Sequence, residues 1–380
     1  MSGIYIHIPF CKQACSYCDF YFVTRQQLRP VFINALLAEI ESVQHTRFAN
    51  QPIETIYFGG GTPSLLAANE IELILSGLNK VFDLDLKEVT LEMNPDDAKP
   101  GYLKDLKNIG VNRLSMGIQS FDSDLLKFMN RAHTSAEAFR ALESVKKAGF
   151  DSYTADLIYG NPAQSMKTLE SDIRKLVKFD PPHISAYSLT IEPGTRLGKA
   201  MELGRLNPPD DEMVMAHFER VQELLASHGI FQYEVSNYAK KGAEAVHNSN
   251  YWNHHNYAGF GPSAHSFWWQ NETEATRWKN QPDIRAYLNQ SKDQNVTEVE
   301  HLDLNQLAEE RIMLGLRTAD GIKRTELGKR YHYQLSDRQT EWITEQNEKG
   351  ILRFNGETVA LTGRGLRIAD YLVVELLSRQ

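Results

Sequence analysis

The chain is poor in cysteine, in basic charge and in long apolar runs. Three cysteines among 380 residues are too few for the disulfide framework of a small secreted scaffold. No apolar run approaches the roughly 18 residues that cross a bilayer. Met1–Cys11 lacks the basic start, apolar core and small-residue cleavage site of a secretory signal. These absences predict a cytosolic protein. Lys and Arg (41) are outnumbered by Asp and Glu (49), for a formal charge of −8, which argues against a broad nucleic-acid footprint and predicts no nucleic-acid partner. A content of 42% hydrophobic and 24% charged residues suits a globular protein of one large or two smaller domains and excludes a disordered or collagen-like chain.

What cysteine there is lies in one place. Cys11, Cys15 and Cys18 fall in Cys-Lys-Gln-Ala-Cys-Ser-Tyr-Cys. Three thiols cannot all pair, and loops this short close disulfides poorly. Clustered thiolates suit a soft metal, either zinc or an iron–sulfur cluster. A closed zinc site needs a fourth ligand, for which His7 is the nearby nitrogen; iron–sulfur fits better.

Hydrophobic patterning predicts strands over Gly3–Ile8, Ile53–Phe58, Glu88–Met93, Arg113–Gly117, Ser152–Ile158 and His183–Leu189. Amphipathic stretches between them include Val31–Val43, Asn69–Leu78, Ala136–Ala148 and Leu169–Phe179. Strand then helix, repeated about six times, predicts an α/β fold with a parallel sheet. Six units fall short of the eight of a closed barrel, so a partial (β/α)6 barrel is expected over residues 1–230, with a doubly wound sheet as the alternative. Residues 231–297 read as an aromatic and histidine-rich connecting region. Residues 298–380 change grammar: helix-like Asn305–Arg317, Arg324–Arg330 and Ser336–Lys349 precede a hairpin of Leu352–Phe354 and Val359–Leu361 around Asn355-Gly356. This predicts a C-terminal helical, winged-helix-like module, and the acidic balance favours its packing against the barrel over DNA binding.

In a parallel barrel, function gathers where strands end. The cysteine loop follows the first strand. The second strand ends in Gly59-Gly60-Gly61-Thr62-Pro63, whose backbone can approach a ligand closely and present exposed amides or carbonyls. The following strands end in Glu92-Met93-Asn94-Pro95, in Gln119-Ser120-Phe121 and at Asp156.

Cys-x-x-x-Cys-x-Tyr-Cys after a first strand resembles the radical S-adenosylmethionine (SAM) superfamily. Tyr5-Ile6-His7-Ile8-Pro9-Phe10-Cys11, Gly59-Gly60-Gly61-Thr62-Pro63-Ser64 and Asn112-Arg113-Leu114-Ser115-Met116-Gly117-Ile118-Gln119-Ser120-Phe121 narrow the resemblance to the oxygen-independent coproporphyrinogen III oxidase-like family. It extends to Met313-Leu314-Gly315-Leu316-Arg317 near the carboxyl end. The resemblance implies that Cys11, Cys15 and Cys18 hold a [4Fe–4S] cluster whose fourth iron chelates SAM. It also implies that Tyr5, Tyr17, Gly60, Gly61, Thr62, Glu92, Gln119, Arg131 and Asp156 surround SAM, with Glu92 or Asp156 accepting from ribose hydroxyls and Arg131 pairing the methionyl carboxylate.

The oxidases proper carry a fourth cysteine two residues after the third; here that position is Phe20. They also carry a longer amino-terminal segment. His247-Asn248-Ser249-Asn250-Tyr251-Trp252 matches the His-Asn-x-x-Tyr-Trp signature of the HemW subgroup, regarded as heme chaperones. The resemblance therefore implies heme as ligand, an acceptor protein of unknown identity, and membrane contact only through that acceptor. Oxidative decarboxylation of coproporphyrinogen III is the alternative. Within this reading His247 is the leading axial ligand, with Tyr251 and Trp252 as neighbours, because neutral imidazole ligates heme iron and aromatic rings cover a porphyrin face. A buried aromatic cluster in which His247 only hydrogen-bonds is the other reading of the same residues. His254, His255 and His265 are rival ligands, and Lys240, Lys241 or Arg277 could meet propionates.

Overall fold

The computed structural model describes residues 2–289 and 296–380. Strands β1 (Ser2–Ile8), β2 (Ile53–Gly60), β3 (Leu84–Met93), β4 (Arg113–Gln119), β5 (Ser152–Tyr159) and β6 (His183–Ser188) pair in parallel in chain order. The connections carry helices α1 (Arg29–Ser42), α2 (Ala68–Val81), α3 (Pro100–Asn108), α4 (Ser123–Phe128), α5 (Ser135–Lys147) and α6 (Met166–Val177), followed after β6 by α7 (Arg196–Glu202) and α8 (Asp211–Ala226). Local sequence explains the starts: Thr134 and Glu137 form a capping box on α5, and Ser165 caps α6.

Alternation along each strand sorts the two faces of the sheet. Ile4, Ile6, Ile8, Ile56, Phe58, Leu91, Leu114, Met116 and Ala155 are buried in the continuous core that includes Leu36, Ile74, Leu106, Leu142 and Ile173 of the helices. The intervening residues, among them Tyr5, Tyr57, Glu92, Ser115 and Asp156, are polar and line the inner face. Tyr187 on that face is 42% exposed, so the interior is open to solvent.

The aromatic stretch is more than a connection. Strands β7 (Phe231–Gln232) and β8 (Asn237–Ala239) extend the β6 edge. Helix α9 (Val246–Trp252) leads to β9 (Asn256–Phe260), which pairs in parallel with β1. Then β10 (His265–Trp269) and β11 (Ala275–Asn280) continue the sheet antiparallel; after α10 (Ile284–Asn289), β12 (Val296–Leu302) completes it. The result is a 12-stranded sheet ordered β12-β11-β10-β9-β1-β2-β3-β4-β5-β6-β8-β7, with no pairing of its two edges among the described residues.

The carboxyl-terminal module comprises α11 (Leu304–Leu316), β13 (Ile322–Lys323), α12 (Arg324–Tyr331), α13 (Asp337–Glu348), β14 (Leu352–Phe354), β15 (Thr358–Leu361), α14 (Gly363–Leu366) and α15 (Ala369–Leu377). Its three strands form a separate antiparallel sheet in a winged-helix-like arrangement. It joins the rest through Val235 N donating to Arg317 O at 2.9 Å and Ala319 N to Tyr233 O at 2.8 Å. Among the described residues no helix is long and apolar enough to cross a membrane.

Candidate cofactor site and the floor beneath it

The loop after β1 brings all three cysteines to the carboxyl end of the parallel strands. Backbone pairing fixes it on both sides: Cys11 N donates to Val23 O at 3.0 Å and Ser16 N to Met129 O at 3.0 Å. Asn130 Nδ2 adds a bond to Ala14 O at 2.6 Å. The three thiols are half-buried and in no disulfide. Thr62 Oγ1 lies 3.6 Å from Cys11 Sγ, and Arg131 Nη1 lies 3.3 Å from Cys15 Sγ. Burial pushes the Cys11 thiol up to about 11 and the Cys18 thiol to about 12. Among the described residues no three His, Cys, Asp or Glu side chains converge as ligands of a single ion; thiolates that each take a different iron of a cluster have no such requirement.

The glycine run closes against this loop. A Cβ on Gly61 would lie 2.7 Å from Phe10 O, and Gly60 adopts φ +103° beside the His7 ring, so glycine is required at both positions. Gly60 N donates to Glu92 Oε2 at 3.2 Å, Gly61 N to Ile8 O at 2.8 Å and Thr62 N to Phe10 O at 2.7 Å. The expectation of exposed amides is corrected here: these three amides are engaged within the fold.

Two half-buried carboxyls lie deeper. Glu92 Oε1 accepts from Tyr57 Oη at 2.7 Å. Burial raises Glu92 to about 7, opposed by the Tyr57 bond and reinforced by Asp156. Asp156 sits 3.3 Å from Ser115 Oγ and is raised to about 6, again chiefly by burial. Arg131 binds Asn94 Oδ1 at 2.6 Å and Gly117 O at 2.9 Å through Nη2, and stands 3.4 Å from Tyr17 Oη. Burial alone would lower its pKa; Tyr17 and Cys15 reverse that and hold it cationic. Arg131 Nε and Gln119 Oε1 are buried without a partner among the described residues. Two orphaned groups beside soft thiols and a glycine cradle fit a cluster with a small polar ligand.

At the opposite end of the strands α9 forms a floor. Glu88 accepts from Val246 N at 2.9 Å and from His247 N at 3.0 Å, with Arg113 Nε 3.9 Å away. His247 is 1% exposed. Its Nδ1 pairs with Thr55 Oγ1 at 2.8 Å and its Nε2 with Tyr251 Oη at 2.7 Å. Burial lowers its pKa to about 3, so the ring is neutral. Tyr57 stacks on it with centroids 5.1 Å apart. Trp252 is half-buried, and its carbonyl accepts from Arg311 Nη1 of the carboxyl-terminal module at 3.3 Å.

Comparison with known proteins fits this geometry. Residues 5–176 match the radical SAM superfamily model and residues 302–368 the HemN C-terminal domain. The protein named heme chaperone HemW in Bacillus subtilis is 35% identical over 96% of this chain and 96% of its own. This chain belongs to the HemW family. HemW of Lactococcus lactis is 33% identical over 99% of this chain and 97% of its own, and HemW of Escherichia coli 37% over 69% of each. The solved structure of the E. coli coproporphyrinogen III oxidase HemN, a radical SAM enzyme, superposes with a TM-score of 0.84 at 20% identity, covering 99% of this chain and 89% of that one. That likeness is one of fold: a radical SAM partial barrel followed by a HemN-type carboxyl-terminal domain.

In this HemW-family chain the residues expected around SAM separate by depth. Cys11, Cys15, Cys18, Tyr17, Thr62, Gln119 and Arg131 meet at the mouth, with Gly60, Gly61, Glu92 and Asp156 just inside. Tyr5 lies against the inner wall, its ring 6.1 Å from that of Tyr57 and its hydroxyl 3.3 Å from His7 Nδ1. His247, Tyr251 and Trp252 are elsewhere, on the floor. Ligation by His247 requires Thr55 or Tyr251 to give up its bond to the ring. Sequence reasoning missed Tyr57, which joins the two levels, and Glu88, which holds α9. The alternation Thr55, Tyr57, Gly59 and Glu88, Thr90, Glu92 marks both as inward-facing and could have found them.

Proposed function

We propose that this chain binds heme and passes it to an acceptor protein in the cytoplasm, with a [4Fe–4S] cluster on Cys11, Cys15 and Cys18 and SAM at the open iron. The observation that carries the reading is end-to-end kinship, 35% identity across 96% of both chains, with a heme chaperone HemW. Phe20, 65% exposed, occupies the position of the oxidases' fourth cysteine and speaks against porphyrin decarboxylation.

Bound at the mouth, the cluster supplies one-electron chemistry and an iron that can chelate SAM. The protein's own part is positioning. Thr62 and Arg131 set polar contacts on Cys11 and Cys15, and Arg131 keeps positive charge beside that thiol. Glu92 and Asp156, when ionised, accept hydrogen bonds from a ligand's hydroxyls. The floor built by His247 and Tyr251 closes the barrel beneath Glu92 and limits water from that side.

The test is addition of heme to anaerobically reconstituted protein, followed by the Soret band and by coelution on gel filtration. The reading expects a saturable complex and no porphyrin product from coproporphyrinogen III with SAM and reductant. Absence of saturable heme binding, or turnover to protoporphyrinogen, overturns it.

A further inference from the structure

Gln119 ends β4 in a conformation that its residue type avoids. Its φ is +64°, in the left-handed region that few residues other than glycine adopt. Ser120 N donates to Ile118 O at 2.8 Å across it, which makes a γ-turn with the strained sign of φ. The strand is already irregular just before this point. From Met116 to Gln119 it advances three residues while β5 advances two, Ala155 to Leu157, a bulge of the kind that re-aims a side chain. The carboxamide so placed is 9% exposed, and its Oε1 has no partner among the described residues. It lies beside Arg131: a Cβ on Gly117 would be 2.9 Å from both Arg131 Nη2 and Gln119 Nε2.

Strain of this kind persists only where the surroundings over-determine it, and here they do so from both sides of the turn. After it, the buried Asp172 of α6 accepts from Ser120 Oγ at 2.5 Å and from Phe121 N at 3.1 Å. Before it, two consecutive carbonyls are taken by residues two apart in sequence. Gly117 O accepts from Arg131 Nη2 at 2.9 Å, and Ile118 O pairs with His133 Nε2 at 3.1 Å. Burial first, and Arg131 next, lower the His133 pKa to about 4, so the ring is neutral and Nε2 carries the proton it donates. Asp172 does little for its own helix. Its neighbours Leu169, Ile173 and Leu176 face the core, where a carboxylate is costly unless hydrogen-bonded, and both its hydrogen-bond donors belong to the chain just after Gln119.

Resting on the SAM reading above, we propose that Asp172 and His133 are positioning residues of the SAM site, which together hold Gln119 in its strained turn and leave its carboxamide available to the ligand beside Arg131. Neither touches SAM. Asp172 acts on the backbone after Gln119 and His133 on the carbonyl before it, and no proton or electron is transferred.

The experiment is a double-mutant cycle on SAM affinity, measured by calorimetry on the anaerobically reconstituted full-length chain with iron and sulfide content matched. Asp172→Asn preserves the side chain's size but leaves one acceptor oxygen for two donors, and it should weaken SAM binding at least about fivefold. Gln119→Ala should weaken it comparably. In the Gln119→Ala background Asp172→Asn should cost less than about twofold, because no carboxamide remains to be placed. Ser120→Ala, which deletes one bond to Asp172 and leaves its charge, repeats the cycle if Asp172→Asn does not fold. His133→Ala should also weaken binding, and His133→Gln, whose Nε2 can donate to the same carbonyl, should restore it. Equal losses from Asp172→Asn in both backgrounds, or wild-type affinity in that variant, overturn the assignment and leave the cofactor reading standing. Equal losses in His133→Ala and His133→Gln remove His133 from it. Failure of the cluster-loaded wild-type chain to bind SAM overturns the cofactor reading itself, and the assignment with it.

Discussion

Tyr57 stands between His247 and the cofactor site: its ring stacks on the imidazole at 5.1 Å, and its hydroxyl donates to Glu92 Oε1 at 2.7 Å. Since Gly60 N donates to the other oxygen of Glu92 at 3.2 Å, one run of contacts connects the signature helix to the glycine loop. Tyr57→Phe keeps the stack and deletes the bond to a carboxyl. SAM affinity should fall by about three- to tenfold, the size of one hydrogen bond. Because the Tyr57 bond lowers the Glu92 pKa, the pH midpoint of binding should also move up. Calorimetric titration across pH checks both; an unchanged midpoint means that Tyr57 does not govern Glu92.

The pH dependence of stability has a definite sign. Glu92 and Asp156 titrate at about 7 and about 6 in the fold, above their ordinary values near 4. Between about pH 4 and 7 the folded state holds more protons than the unfolded one, so these groups make stability fall as pH rises and stop contributing to the slope above about 7. Glu92→Gln should flatten the profile by at most about 1.4 kcal/mol per pH unit while weakening SAM binding. Thermal melts from pH 4.5 to 8 without SAM decide the point; parallel profiles for variant and parent would contradict it.

Replacing Cys15 by Ser should abolish the broad iron–sulfur absorption near 400 nm after reconstitution, because a hydroxyl is a poor substitute for a thiolate. Iron and sulfide analysis checks it. Full retention of both would remove Cys15 from the ligand set.

Glu88 accepts the first two amides of α9 and faces Arg113, which is 3% exposed. Glu88→Ala leaves those amides and a buried guanidinium without their partner and should destabilise the fold by about 3–5 kcal/mol. Glu88→Gln, which keeps an acceptor, should lose less. Urea denaturation of both variants measures the difference, and equal losses would assign the effect to charge alone.

The barrel was legible because its signals are local. All six parallel strands and the four amphipathic helices that were expected are present, since alternation and 3.6-residue periodicity are properties of short windows. The extension from β9 to β12 was not legible. Asn256–Phe260 pairs with Ser2–Ile6, a contact between distant parts of the chain that no window contains. Glycine chemistry was legible in kind but not in detail: Gly60 and Gly61 are required, yet the neighbouring carbonyls of Ile8 and Phe10 that take the Gly61 and Thr62 amides become visible only in three dimensions. The environment of His247 was half legible. Tyr251 lies four residues on and so shares its helix face, but Thr55 on β2 completes the arrangement from far away in sequence.

Stoichiometric titration of heme into the anaerobically reconstituted chain tests the central claim most directly. A saturable Soret band that coelutes with the protein and moves to an added heme-free acceptor is the expected result. Heme that neither saturates nor coelutes, with the iron–sulfur absorption intact, would contradict it.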